Sequence, residues 1–124
     1  MDQYSTVKLG KVSKDLQRKL NVDFSSDDKV YILEKELDVI ASSDPDGYLA
    51  KIHEASFIIR EPDIVFFDAE KNLMHFVKLY FINEMFRIVG VSCHKDGQFY
   101  FDKMYVLNDK TKYETFEGLE GVIV

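Results

Sequence analysis

The chain has 124 residues, enough for one domain with an ordinary core, and its 46% hydrophobic and 31% charged content is that of a globular protein rather than a disordered or fibrous one. Net charge is −6, with nine basic and twelve acidic groups in residues 1–62 and seven and ten in residues 63–124. The lack of a basic block or stripe counts against a general nucleic-acid-coating role and leaves a small local site open. The single cysteine, Cys93, excludes an internal disulfide and fits a reducing, cytoplasmic setting. The start MDQYSTVKLG lacks the apolar core of a secretory signal, and no apolar run reaches membrane-span length, so no membrane association is expected.

In chain order, residues 1–12 are mixed and carry no clear pattern. Ser13 suits the N-cap of a short helix, KDLQRKL, with Leu16 and Leu20 four apart and Asn21 at its end. Residues 22–29 read as a polar loop. Val30 to Leu33 leaves room for one strand. EKELDVIA puts Leu37, Ile40 and Ala41 on one helical face. Asp44 then caps a helix over 45–60 with Pro45 in its first position, where a missing N–H costs nothing. Ile52, Ala55 and Ile59 line its stripe, and Pro62 stops it. Ile64 to Asp68 reads as a strand that turns at 70–72.

The next segment organises the fold. LMHFVKLYF, MFRIVGVSC and FYFDKMYVL are three nine-residue runs rich in aromatic and β-branched residues, separated by breaks at Asn83 and Asp96-Gly97. Asn83 tolerates a left-handed backbone, and Asp-Gly is a strong hairpin signal. A three-stranded antiparallel meander follows from this pattern. In the third run Tyr100, Asp102, Met104 and Val106 oppose Phe99, Phe101, Lys103 and Tyr105, so neither side is purely polar. That reads as one packed face and one mixed face, the mixed face being where a site would lie. Beyond Leu107, a short helix near 110–116 and a final GVIV strand are both compatible with the sequence. The expected architecture is α+β: N-terminal helices packed on a four- to five-stranded antiparallel sheet, as one domain over 1–124.

Candidate chemistry is sparse. His53, His75 and His94 have no metal-ligand spacing, and HEASF places Phe57 where a zinc-protease motif needs its second histidine, so no metal or cofactor is expected. His75, mid-strand, is the strongest general acid/base candidate and His53 the other; the alternative is that both are structural, His53 as a partly exposed helix residue. Lys78, Arg87 and Lys103 fall on neighbouring strands and would hold a phosphate if register put them on one face. Otherwise they are charges solvating an open sheet face. Tyr80, Tyr100 and Met104 on the mixed face would suit a protein contact, because aromatic residues and Met are enriched at interfaces.

Several segments in order, LGKVSKDLQRKLNV, KVYI, IIREPDIV, MHFVK and DGQFYFDKMYVLN, give the stretch 9–109 a further meaning. It resembles phage-type nuclease domains of the barnase–EndoU–colicin–RelE class. The resemblance implies a barnase- or RelE-like fold and metal-independent, toxin-like ribonuclease activity. The departures matter as much. Val39 and Asp44 stand where that family carries histidines, Asp102 and Lys103 replace its Arg and Thr, and only Lys78 keeps a polar match. Losing the neutral-pH acid and base and placing a carboxylate at the phosphate position both oppose RNA cleavage. The expectation is a catalytically impaired domain of phage or mobile-element lineage that binds a protein partner, as a monomer or homodimer. The alternative is a working RNase with relocated residues: His75 or His53 as base, Lys78 and Arg87 on phosphate, and Tyr105 as a supporting donor.

Overall fold

The computed structural model describes residues 6–20, 29–96, 98–107 and 121–123. In chain order these form β1 (Thr6–Lys11), α1 (Lys14–Leu20), β2 (Lys29–Leu33), α2 (Glu34–Ser43), α3 (Tyr48–Arg60), β3 (Ile64–Asp68), β4 (Leu73–Ile82), β5 (Met85–Asp96), β6 (Gln98–Leu107) and β7 (Gly121–Ile123). The sheet has seven strands in the order β1-β2-β6-β5-β4-β3-β7. No helix among the described residues is long and apolar enough to cross a membrane.

This corrects the expected architecture. The sheet is larger than four or five strands and is mixed, because β2 runs parallel to β6. The N-terminal part is not a helical cap, since it contributes β1 and β2 to one sheet edge. A four- to five-stranded antiparallel sheet under N-terminal helices therefore does not describe this chain. Two features hid β1. It is short, and its register against β2 slips between Lys8 and Gly10, which breaks the period-two alternation that marks a strand. The possible helix near 110–116 lies outside the described residues. Residues 121–123 do pair, antiparallel to β3.

Within the larger sheet, β3 to β6 form the antiparallel run that the apolar segments predicted. The β4–β5 connection is a two-residue turn with Asn83 at φ 52° and Glu84 at φ 62°, the left-handed pair that matches strand twist. Ser13 caps α1, its Oγ accepting from Leu16 N at 3.2 Å. Asp44 ends α2 rather than starting the next helix. Its carboxylate accepts from Gly47 N at 3.1 Å, and α3 starts at Tyr48.

All three helices lie on one face of the sheet. Leu16, Ala55, Ile58 and Ile59 pack there against Val30, Ile32, Val65, Met74, Phe76, Val89, Val91, Cys93, Phe99 and Phe101, all buried. The opposite face carries a smaller cluster of Val77, Ile88 and Leu107 with Ile64, Phe66 and Tyr105. α2 stands apart from the other helices. It has no fully buried residue and touches the core only through Leu37 and Ile40.

One irregularity in β6 sets the faces. Ser92 pairs with Lys103, but Cys93 pairs with Phe101, so Asp102 is an extra residue, a bulge. Before the bulge, Phe99 and Phe101 point to the helices. After it, Met104 does, and Tyr105 and Leu107 point away. The mixed alternation seen in the sequence is two clean alternations joined out of phase.

Glu84 has a Cβ in a left-handed conformation, which costs an L-residue roughly 1–2 kcal/mol that glycine avoids. Glu84→Gly is expected to stabilise the fold by about 1 kcal/mol after the added unfolded-state entropy, measured as a higher urea midpoint at unchanged m-value.

Candidate functional site

The bulge brings polar residues together on the face away from the helices. His75 and Ser92 are cross-strand neighbours on β4 and β5, and Ser92 faces Lys103 on β6. Ser92 is fully buried, where an unbonded hydroxyl would be costly. Its Oγ donates to Asp102 Oδ2 at 2.9 Å, an acceptor supplied by the bulge. Gly90 pairs with Tyr105, and the Tyr105 ring lies so close that a Cβ on Gly90 would stand 2.5 Å from it. The ring can cover the strand only because residue 90 has no side chain. From there the Tyr105 hydroxyl reaches His75 Nδ1 at 2.7 Å.

Burial lowers the His75 pKa below 6.5 and outweighs the opposing pull of the Asp68 carboxylate. Burial also raises Tyr105 well above the ordinary tyrosine range, so its hydroxyl keeps its proton. His75 is only 8% exposed. The pair is a neutral hydrogen-bonded unit within the sheet, and Cys93, fully buried with its thiol pushed far up, is inert on the other face.

The remaining residues of the expected catalytic set stand elsewhere. Lys78 faces the helices. Its Nζ donates to Glu61 O at 2.9 Å, lies 3.5 Å from Asp63 Oδ1 and sits 5.2 Å from the Phe57 ring centroid. It ties the end of α3 to β4, a position where a cation also meets the negative end of the helix dipole. Arg87 pairs with Tyr80 and shares the face of Lys78. Lys103 is on the opposite face, its ammonium 6.0 Å from the Tyr105 ring centroid. The three cations therefore do not converge on one phosphate. His53 is exposed on α3, across the sheet from His75. His94 stacks on Tyr100 at 5.8 Å. Of the expected contact residues, Tyr80 and Met104 are on the helical side and Tyr100 is with His94 on the other. Among the described residues no cluster of His, Cys, Asp and Glu could hold a metal ion.

A broad concavity lies on the helical side, between α2, the first half of α3 and the second half of β6. It has a volume of about 600 Å³. Val39, Ile40, Ile52, Val89, Met104 and Val106 make it mainly apolar. Two of these are unusually open for apolar residues, Val39 at 64% and Val106 at 57% exposure. The groove exists because β2 pairs with β6 only at Phe99 and Tyr100 and then hands the chain to α2. Among the described residues, no strand pairs with Asp102–Val106 on that side. Tyr80 lies beside it, its pKa raised first by burial and then by the Glu54 carboxylate, which accepts its hydrogen bond. Sequence reasoning found Met104 and Tyr80 here but missed Val39, Ile52 and Val106. Val39 alone carried a signal, as an apolar residue off the Leu37–Ile40 stripe of α2.

Two outcomes follow from the polar cluster. Gly90→Ala forces Tyr105 off the strand and breaks its bond to His75, at a cost of about 1–3 kcal/mol. Gly90→Ala/Tyr105→Leu should recover part of that loss in a double-mutant cycle by urea unfolding. For pH, the unfolded His75 titrates near 6.5 and the folded one lower, so below pH 6.5 the unfolded state binds the extra proton. Stability contributed by neutral His75 is complete above pH 6.5 and falls as pH drops toward the folded pKa. A His75→Asn variant should show a shallower loss of stability between pH 6.5 and pH 5 in the same titration.

No family model matches the chain, and neither the curated proteins nor the solved structures contain a significant match to it.

Proposed function

We propose that this chain works by binding a protein partner through the groove between α2, α3 and β6. One observation carries the reading: a mainly apolar groove of about 600 Å³, with Val39 and Val106 held in water on its rim, beside a stretch of strand edge that no described strand covers. Apolar grooves of this kind mark interaction sites more often than monomer surface. A loosely anchored α2 lets the groove adjust to what it binds. In this reading the phage-type nuclease resemblance is a matter of lineage, and the domain no longer cleaves.

The RNase reading is favoured by one contact, the His75–Tyr105 hydrogen bond. It lacks the rest of the chemistry. A base must reach the 2′-hydroxyl and cations must meet the same phosphate, whereas His75 is buried and Lys78 and Arg87 point to the other face.

The expected result with total RNA and tRNA in EDTA is no cleavage by wild type or by His75→Ala/Lys78→Ala. Cleavage by wild type alone would restore the RNase reading. For binding, a partner identified from cell extract and purified should form a stoichiometric complex with wild type. Val39→Ser/Val106→Ser should weaken that complex at least about tenfold, the scale of losing two buried apolar contacts. A complex indifferent to those substitutions would remove the groove from the function.

A further inference from the structure

Resting on the protein-binding reading of the groove, we infer that its occupant is an extended, cationic segment of another protein that adds as a strand to the outer edge of β6.

The backbone carries the first part of the argument. β6 is ten residues long, yet β2 covers only Phe99 and Tyr100 on its outer side. From Asp102 to Val106 that side has no strand partner among the described residues, and the space beyond it is the groove rather than packed protein. Edge strands in stable proteins are short, covered, or blocked by charge and proline. This edge has no proline. Its one lysine, Lys103, directs its ammonium over Tyr105 on the far face. Strand addition would continue the ladder where β2 abandons it, and alternate side chains of the added strand would drop toward Met104, Val106, Val39 and Ile40. A helical occupant would leave the edge of β6 without backbone partners.

Charge selects the chemistry of the segment. Around the groove and the shallow pocket that shares Val39 and Ser43 with it stand Glu36, Asp38 and Glu54, while the Asp102 carboxylate is turned to Ser92 on the far face, as the Lys103 ammonium is turned to Tyr105. Against them are Lys51, already 3.2 Å from Asp44, and Arg87. The rim is therefore net acidic, on a chain whose own charge is −6. Lysines or arginines flanking an apolar core would be attracted over a distance and held at the rim. A second copy of this chain fits less well. Pairing two such edges would bring two acidic rims, and two α2 helices bearing Glu34, Glu36 and Asp38 against a single Lys35, toward one another.

The probe is a short synthetic peptide with an alternating valine–threonine core and lysine flanks, compared with a glutamate-flanked counterpart and one with proline in the core. The expected result is binding of the lysine peptide to the full chain, with deuterium-exchange protection at the backbone amides of residues 102–106. Binding should be at least about tenfold weaker for the glutamate peptide, fall with added salt, and be lost with the proline peptide and with Val39→Ser/Val106→Ser. Equal binding of lysine and glutamate peptides would overturn the charge assignment. Protection elsewhere on the chain would overturn the strand assignment. Absence of peptide binding, with concentration-dependent self-association that the same double substitution abolishes, would make the occupant a second copy. Absence of peptide binding while a purified protein partner still binds through the groove would overturn this inference and leave the protein-binding reading standing.

Discussion

The bulge at Asp102 is the constraint on which the rest of this structure depends. A strand without it would keep one parity from Gln98 to Leu107. Phe99 and Phe101 would bury, and Lys103 and Tyr105 would follow them toward the helices. The extra residue reverses the parity after Phe101. The two phenylalanines stay in the core, Met104 replaces Lys103 on the helical side, and Lys103, Tyr105 and Leu107 turn away. A buried ammonium is avoided by one inserted residue. The inserted residue also contributes a carboxylate, which satisfies the buried hydroxyl of Ser92.

The same reversal ties together features that are far apart in the chain. Tyr105 comes to lie over Gly90, and the absence of a side chain at residue 90 lets the ring approach and its hydroxyl reach His75. Three strands are thereby joined, on the face away from the helices, by one glycine, one ring and one hydrogen bond. Lys103 is parted from Arg87 and Lys78. What looked from spacing like a phosphate clamp is distributed over two faces, and Lys78 serves as the tie between α3 and β4.

The groove has a separate origin in how β2 ends. β2 is five residues long and passes directly into α2. A longer β2 would have covered the edge of β6, and a better-anchored α2 would have filled the space above it. Neither happens, because EKELDVIA carries only two inward apolar residues, Leu37 and Ile40, and a row of acids. Among the described residues, the uncovered strand edge and the apolar floor thus arise from one short stretch, residues 29–43, set against the second half of β6.

The sequence by itself determined the local elements with strong periodicity or clear punctuation. These were the strands β3 to β6, the left-handed turn at Asn83, the cap at Ser13, the stripe of α3 and its stop before Pro62. It also drew attention to His75 and, separately, to Tyr105, without showing that the two meet. These features rest on neighbours within a few residues, where side-chain period and turn chemistry act directly. Only the tertiary structure decided the pairing of β1 and β2 with the far side of the meander, the parallel join to β6, and the face on which each lysine falls. Those depend on contacts between segments some seventy residues apart and on a single inserted residue. One residue of slip moves every later side chain to the other face without changing the composition or hydrophobicity of the strand at all.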